Sequence, residues 1–210
     1  EETRKSNMKH RPISIGIQGL ADVFMMLGLP FTSDKAKEIN KKCAEYIYYG
    51  ALRRSCDIAT KNDTPYESFY GSDFSKGILQ FHYYPETKLS TELSDRWEEL
   101  IIDIKSYGTA NSLVTGYPPT ASSSQIQGNN ECFEPMTYIG YTRKTLAGDH
   151  YIPCEHFVKD LMDRKIYSKE IMDQLKENRG SVRELDIPDD MKEIYKTAFE
   201  ISNKELINMA

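Results

Sequence analysis

The stretch Tyr117-Pro118-Pro119-Thr120-Ala121-Ser122-Ser123-Ser124-Gln125-Ile126-Gln127-Gly128-Asn129-Asn130-Glu131 carries the residue types best suited to hold a ligand. Two prolines, which have no N–H, keep the approach extended. Thr120 to Ser124 follow with five small side chains, four of them hydroxylated, at a predicted helix start. Small side chains let backbone amides come close to a bound group. The first turn of a helix has N–H groups without intrahelical acceptors and a partial positive charge. Together these features favour an anion, most simply a phosphate. A hydrogen bond to a charged group contributes roughly 1.5–3 kcal/mol, so a few would hold a diphosphate. The same residue types also build ordinary helix caps and turns. On residue types alone both readings stand. Without a Lys, the stretch is not a Walker-type loop.

Other candidate chemistry is weaker. Gly16 and Gly19 follow an Ile-rich run but lack the G-x-G-x-x-G spacing of a dinucleotide turn. Cys43, Cys56, Cys132 and Cys154 form no C-x-x-C pair and have no His at metal-ligand spacing, so no metal site is expected. Four scattered thiols fit a reducing, cytoplasmic setting, with Cys43 and Cys56 read as small buried hydrophobes within a helix. Net charge is −5 and the basic residues are interleaved with acidic ones, which disfavours direct binding to nucleic acid. The longest apolar run, Leu20 to Leu29, is interrupted by Asp22 and is too short for a bilayer; Glu1 to Arg11 reads as simply polar. A soluble protein without a membrane partner is expected. With 39% hydrophobic and 28% charged residues, the chain has material for a core.

The elements that must position the loop follow from periodicity. Pro12 to Ile17 predicts a buried strand, and Leu20 to Leu27 a helix with Leu20, Phe24 and Leu27 on one face, closed by Gly28 and Pro30. Ser33 is suited to cap a long helix from about Asp34 to Lys61, where Ala36, Ile39, Cys43, Ile47, Ala51, Ser55 and Ile58 recur at three- and four-residue steps. Such a helix, about 40 Å long at roughly 1.5 Å per residue, suits a large barrel or bundle. Residues 66–93 are aromatic-rich and irregular; without interleaved bases they read as a packed surface excursion rather than a base-stacking platform. A helix from about Asp95 to Ser106 precedes a second buried strand, Asn111 to Tyr117. This β/α order predicts a parallel sheet of α/β class. Ile139 to Thr145 and His150 to Ile152 read as extended, and 155–165, 168–178 and 189–208 as helical.

Several blocks in order resemble the large subunits of class I (aerobic) ribonucleotide reductases of the eukaryotic and viral branch. Arg11-Pro12-Ile13-Ser14-Ile15-Gly16-Ile17-Gln18-Gly19-Leu20-Ala21-Asp22 is similar to the family's R-P-I-G-I-G-V-Q-G-L-A-D block. Tyr48 to Leu52, Ser75 to Gln80, Asn111 to Leu113, Gly128 to Glu131, Leu146 to Gly148, His156 to Leu161 and Tyr195 to Ser202 continue it. The resemblance covers nearly all of the chain. It implies the C-terminal portion of a ten-stranded α/β barrel, with residues 1–210 a single partial domain and both ends read as cuts. Pro119, Thr120, Ala121, Ser122 and Ser123 match the family's P-T-A-S-T loop for the phosphates of the nucleoside diphosphate, with Ser123 replacing Thr. The family's Met between two prolines is absent, since Tyr117-Pro118-Pro119 stands there.

The resemblance implies reduction of ribonucleoside diphosphates by radical chemistry. The Asn-x-Cys-x-Glu finger loop and the redox cysteine pair map before Glu1; the tyrosine pair and cysteine tail map beyond Ala210. The ATP-binding cone also lies outside. No catalytic residue is therefore assigned to this chain. Tyr48-Tyr49 matches a helical block rather than the radical-relay pair, and Cys132 stands where the family commonly has Ser. No cofactor is expected on this segment; the whole enzyme would depend on a radical from a small subunit, on nucleotide effectors (ATP, dATP and other dNTPs) and on a dithiol reductant. Implied partners are the diphosphate substrate, the remainder of the large subunit, the small subunit, and a second copy in a homodimer or larger assembly. The alternative is a non-catalytic remnant of the same family. On its own, a third of a barrel with open sheet edges is expected to be poorly stable.

Overall fold

The longest element is a helix, α3 (Asp34–Asn62), of 29 residues. Ser33 starts it as expected, its hydroxyl accepting the Ala36 amide at 3.2 Å. In this computed structural model, which describes residues 1–84 and 86–209, the chain forms two compact units. One comprises residues 1–16 and 41–118, the other residues 17–40 and 119–210. α3 contributes its first turns to the second unit and the rest to the first.

In the first unit, α4 (Ser94–Tyr107) packs an apolar face of Trp97, Leu100 and Ile104. These join Leu52 and Cys56 of α3, and Tyr66, Phe69, Leu79, Leu93 and Val114, in one core cluster. Trp97 lies edge-on to Tyr49 and Phe81, with ring centroids 5.1 and 5.0 Å apart. Glu45 is buried beside it. Its carboxylate accepts the Trp97 Nε1–H at 3.0 Å and the Ser90 amide at 3.0 Å, which is what makes a carboxylate tolerable there. The 66–93 region is thus more than a surface excursion: Tyr66, Phe69, Leu79 and Leu93 reach the core. Cys56 is buried as read from the sequence, but Cys43 is exposed; the buried stripe of α3 runs through Glu45, Leu52, Cys56 and Ala59 and turns Cys43 away.

The polar start of the chain forms a helix, α1 (Glu2–His10), with none of its residues buried. Beyond it, the two predicted buried strands reduce to a single parallel bridge between Ile15 and Thr115. The direction agrees with the sequence; the burial does not. Ile13 and Ile15 are 43% and 41% exposed and Leu113 is 61% exposed, and parallel strands are stable when both faces are covered. Gly16 and Gly116 permit the close approach. A Cβ on Gly16 would lie 2.7 Å from the Gly116 carbonyl oxygen, and one on Gly116 would lie 2.5 Å from Ser14 Oγ. Packing rather than nucleotide binding accounts for Gly16.

The second unit contains α2 (Leu20–Met26), α5 (Ala121–Gln127), the hairpin β1 (Gly140–Thr145) and β2 (Gly148–Pro153), α6 (Glu155–Asp163), α7 (Lys169–Glu177), α8 (Asp189–Ile194) and α9 (Asn203–Met209). Leu20 and Phe24 are buried as expected, but Leu27 is not. β1 and β2 pair antiparallel, Gly140 opposite Pro153 and Thr145 opposite Gly148. Phe157, Leu161, Ile171, Leu175 and Met191 form one core cluster, and Phe24, Phe31, Ala36 and Ile201 another. The helix expected over 189–208 is broken. Glu200 accepts the Thr197 amide and hydroxyl at 2.7 and 2.8 Å, and the Ala198 amide turns to the Met136 carbonyl at 2.8 Å. A capping arrangement inside the sequence thus starts a new turn after Tyr195.

α7 gives a simple test of local stability. Its cap, Ser168, accepts the Ile171 amide at 3.2 Å. Ser168→Ala is expected to lower stability by about 1 kcal/mol. The change would appear as a smaller urea midpoint with an unchanged slope.

Candidate functional site: a small-residue turn with unpaired amides

Thr120 sits in the left-handed region at φ 50°, immediately before α5. Left-handed backbone costs a β-branched residue roughly 1–2 kcal/mol, so something must hold it. The Thr120 hydroxyl accepts the Cys132 amide at 2.9 Å, and Cys132 is itself left-handed at φ 44°. The two ends of the 120–132 segment are thereby tied across α5. Backbone strain of this kind persists where the surroundings over-determine it.

The first intrahelical hydrogen bond of α5 runs from the Ser124 amide to the Thr120 carbonyl at 2.9 Å. The amides of Ala121, Ser122 and Ser123 therefore have no acceptor within the helix. All three residues are exposed, as is Pro119, while Ser124 is fully buried. The Ser123 hydroxyl donates to Gln18 Oε1 at 2.9 Å. Thr120 and Ser123 thus shape the turn with their side chains, and the donors left without an intrahelical partner are backbone amides.

The far end of the segment is pinned to the start of α2. The Gly19 amide donates to the Asn130 carbonyl at 3.0 Å. Gly19 has φ 81°, and a Cβ there would press on Asn129 at 3.3 Å; that is the reason for a glycine at this position. Asp22, 7% exposed, accepts the Asn130 amide at 2.7 Å through one oxygen and meets His156 Nε2 at 3.1 Å through the other. Tyr195 donates to the His156 carbonyl at 3.0 Å. Gln18, Asp22 and His156 were not readable as loop supports from spacing; the only local signal is a carboxylate at Asp22 among the apolar residues Leu20, Ala21, Phe24 and Met25.

The thiols take no visible part. Burial pushes the Cys132 and Cys154 thiols up from their ordinary value, which keeps them protonated and poorly nucleophilic. Among the described residues, no group of three or more His, Cys, Asp or Glu is placed to hold a metal, and no helix is long and apolar enough to cross a membrane. Two hollows lie elsewhere. One of about 540 Å³ lies in the first unit between Tyr66, Asp73, Tyr83 and Val114; one of about 460 Å³ lies beside Tyr151, Val158 and Met162. Within its own unit the turn lies on an open surface.

The family model for the ribonucleotide reductase barrel domain matches residues 1–210, the full chain. The chain belongs to the ribonucleotide reductase barrel-domain family. The ribonucleoside-diphosphate reductase large subunit of Caenorhabditis elegans is 47% identical over 211 residues, covering all of this chain and 26% of that protein. That of vaccinia virus is 44% identical over 209 residues, covering the whole chain and 27% of that protein. The chain therefore spans about a quarter of the length of the curated relatives it matches. The α subunit of an Actinobacillus ureae class Id ribonucleotide reductase superposes over 98% of this chain and 31% of that one, with a TM-score of 0.70 at 21% identity. That likeness establishes the fold as part of the reductase barrel.

Proposed function

We propose that this chain is the diphosphate-binding portion of a ribonucleoside-diphosphate reductase large subunit, part of a single catalytic barrel that reduces ribonucleoside diphosphates to deoxyribonucleoside diphosphates. The observation that carries the reading is the exposed turn at Ala121, Ser122 and Ser123, with three amides that have no intrahelical acceptor and a backbone fixed by the Thr120–Cys132 and Ser123–Gln18 hydrogen bonds. Pro119 directs the chain into it. Donors fixed in advance bind an anion without the cost of ordering a loop, and the first turn of a helix adds its partial charge. The match of Pro119, Thr120, Ala121, Ser122 and Ser123 to the family's phosphate loop supports the same assignment.

In this reading the chain holds and orients substrate. The hydrogen abstraction, ribose reduction and effector response belong to the remainder of the large subunit, with a radical from a small subunit, electrons from a dithiol and ATP, dATP or other dNTPs as effectors. The working form is a homodimer or larger assembly of large subunits in the cytoplasm. The test is a complete large subunit carrying this chain, combined with a radical-generating small subunit and a dithiol, and assayed for diphosphate reduction. Turnover is expected. Loss of turnover, in an assembly that works when the matching stretch of the C. elegans protein takes this chain's place, would contradict it.

A further inference from the structure

We propose that Asp22 is a positioning residue for the diphosphate turn, acting through the backbone of Asn130. The inference rests on the phosphate reading above and names what holds that site in shape.

Asp22 lies on α2, more than nine-tenths buried. A carboxylate taken out of water is costly unless each oxygen finds a donor. Both oxygens are engaged, Oδ2 by the Asn130 amide at 2.7 Å and Oδ1 by His156 Nε2 at 3.1 Å. Asn130 is two residues from Cys132, whose amide holds the Thr120 hydroxyl. The Asn130 carbonyl is held in turn by the Gly19 amide, and its side chain by the Glu134 carbonyl. Through this line of contacts the carboxylate of α2 sets where residues 130–132 lie. They set the left-handed Thr120, and Thr120 sets the direction of the three amides. His156, carried on α6 and fixed through its carbonyl by Tyr195, keeps the carboxylate turned toward Asn130. A buried charge that satisfies one backbone amide of a ligand loop is a geometric constraint on that loop. Losing it frees the loop rather than removing a ligand contact.

The consequence is specific. Asp22→Ala leaves the Asn130 amide without its acceptor, so substrate must order the turn on binding. In a complete large subunit carrying this chain, the KM for a ribonucleoside diphosphate is expected to rise about tenfold, with kcat within about twofold. Asp22→Asn keeps an acceptor for the Asn130 amide and is expected to restore most of the loss, which a role for the charge itself would not allow. Thr120→Ala is measured in parallel. If Thr120→Ala raises KM and Asp22→Ala does not, the positioning role is overturned while the phosphate turn stands. If neither moves KM, the phosphate turn fails and takes the positioning role with it. Should Asp22→Ala lose its fold by circular dichroism, His156→Leu replaces it. That variant leaves Asp22 in place without its second partner; a several-fold rise in KM is expected, and an unchanged KM would overturn the proposal.

Discussion

Thr120→Ala is expected to raise the KM for a ribonucleoside diphosphate by about 10- to 100-fold, with a much smaller change in kcat. The variant loses the hydroxyl that accepts the Cys132 amide, and with it the contact that holds residue 120 in the left-handed region at φ 50°. Two effects then add. The Cys132 amide lies in a buried setting and loses its acceptor, at a cost of about 1–3 kcal/mol. The backbone relaxes toward ordinary helical or extended geometry, and the amides of Ala121, Ser122 and Ser123 no longer converge. Both act before chemistry, on the capture of substrate, which is why KM moves and kcat does not. Ser122→Ala is the informative contrast. Its amide is retained and only a hydroxyl disappears, so a rise of less than about tenfold is expected if backbone donors dominate. Steady-state kinetics of the two variants in one preparation checks both values.

Trp97→Ala is expected to have the largest effect on stability. Removing a buried aromatic side chain costs about 3–5 kcal/mol in lost burial and residual cavity. Here a second loss is superimposed, because the indole N–H is one of the donors to the buried Glu45 carboxylate. Whole domains are stable by only about 5–15 kcal/mol, so the first unit should lose most of its cooperative fold at ordinary temperature. Trp97→Phe separates the contributions. It retains edge-on packing against Tyr49 and Phe81 but leaves Glu45 with the Ser90 amide as its remaining donor among those described, and an intermediate loss is expected. The variants are followed by circular dichroism, whose signal does not depend on the tryptophan being replaced. A Trp97→Ala protein with an unchanged denaturation midpoint would contradict this account of the core.

How far the sequence reaches is clearest at particular residues. The bounds of α3 and α4 came out within about a residue, because apolar periodicity and the Ser33 cap are local signals. The turn at 120–124 was legible for the same reason: prolines, small residues and a helix start all lie within a few positions. What failed was long-range. The runs Pro12 to Ile17 and Asn111 to Tyr117 read as buried strands, yet Ile13, Ile15 and Leu113 are 43%, 41% and 61% exposed, since burial depends on what covers a strand and not on its own pattern. The run from 189 to 208 has a helical period, but a Thr197–Glu200 capping pair and the Met136 carbonyl redirect it. Cys43 obeyed the period and still faces outward, because the stripe of α3 follows Glu45 and its distant donors Ser90 and Trp97. The loop supports Asp22 and His156, 134 residues apart, carry no spacing signal at all. The small-residue turn before α5 was readable; the residues that hold it in place were not.

The most direct test is amide hydrogen exchange across Pro119–Gln127 in a complete large subunit carrying this chain, with and without substrate. Without ligand, the amides of Ala121, Ser122 and Ser123 should exchange rapidly, having no acceptor within the helix. Saturating ribonucleoside diphosphate should slow them, while the parent nucleoside, which lacks phosphates, should leave them as they are. Exchange at these three amides that is unchanged by bound diphosphate, or slowed equally by the nucleoside, would contradict the account.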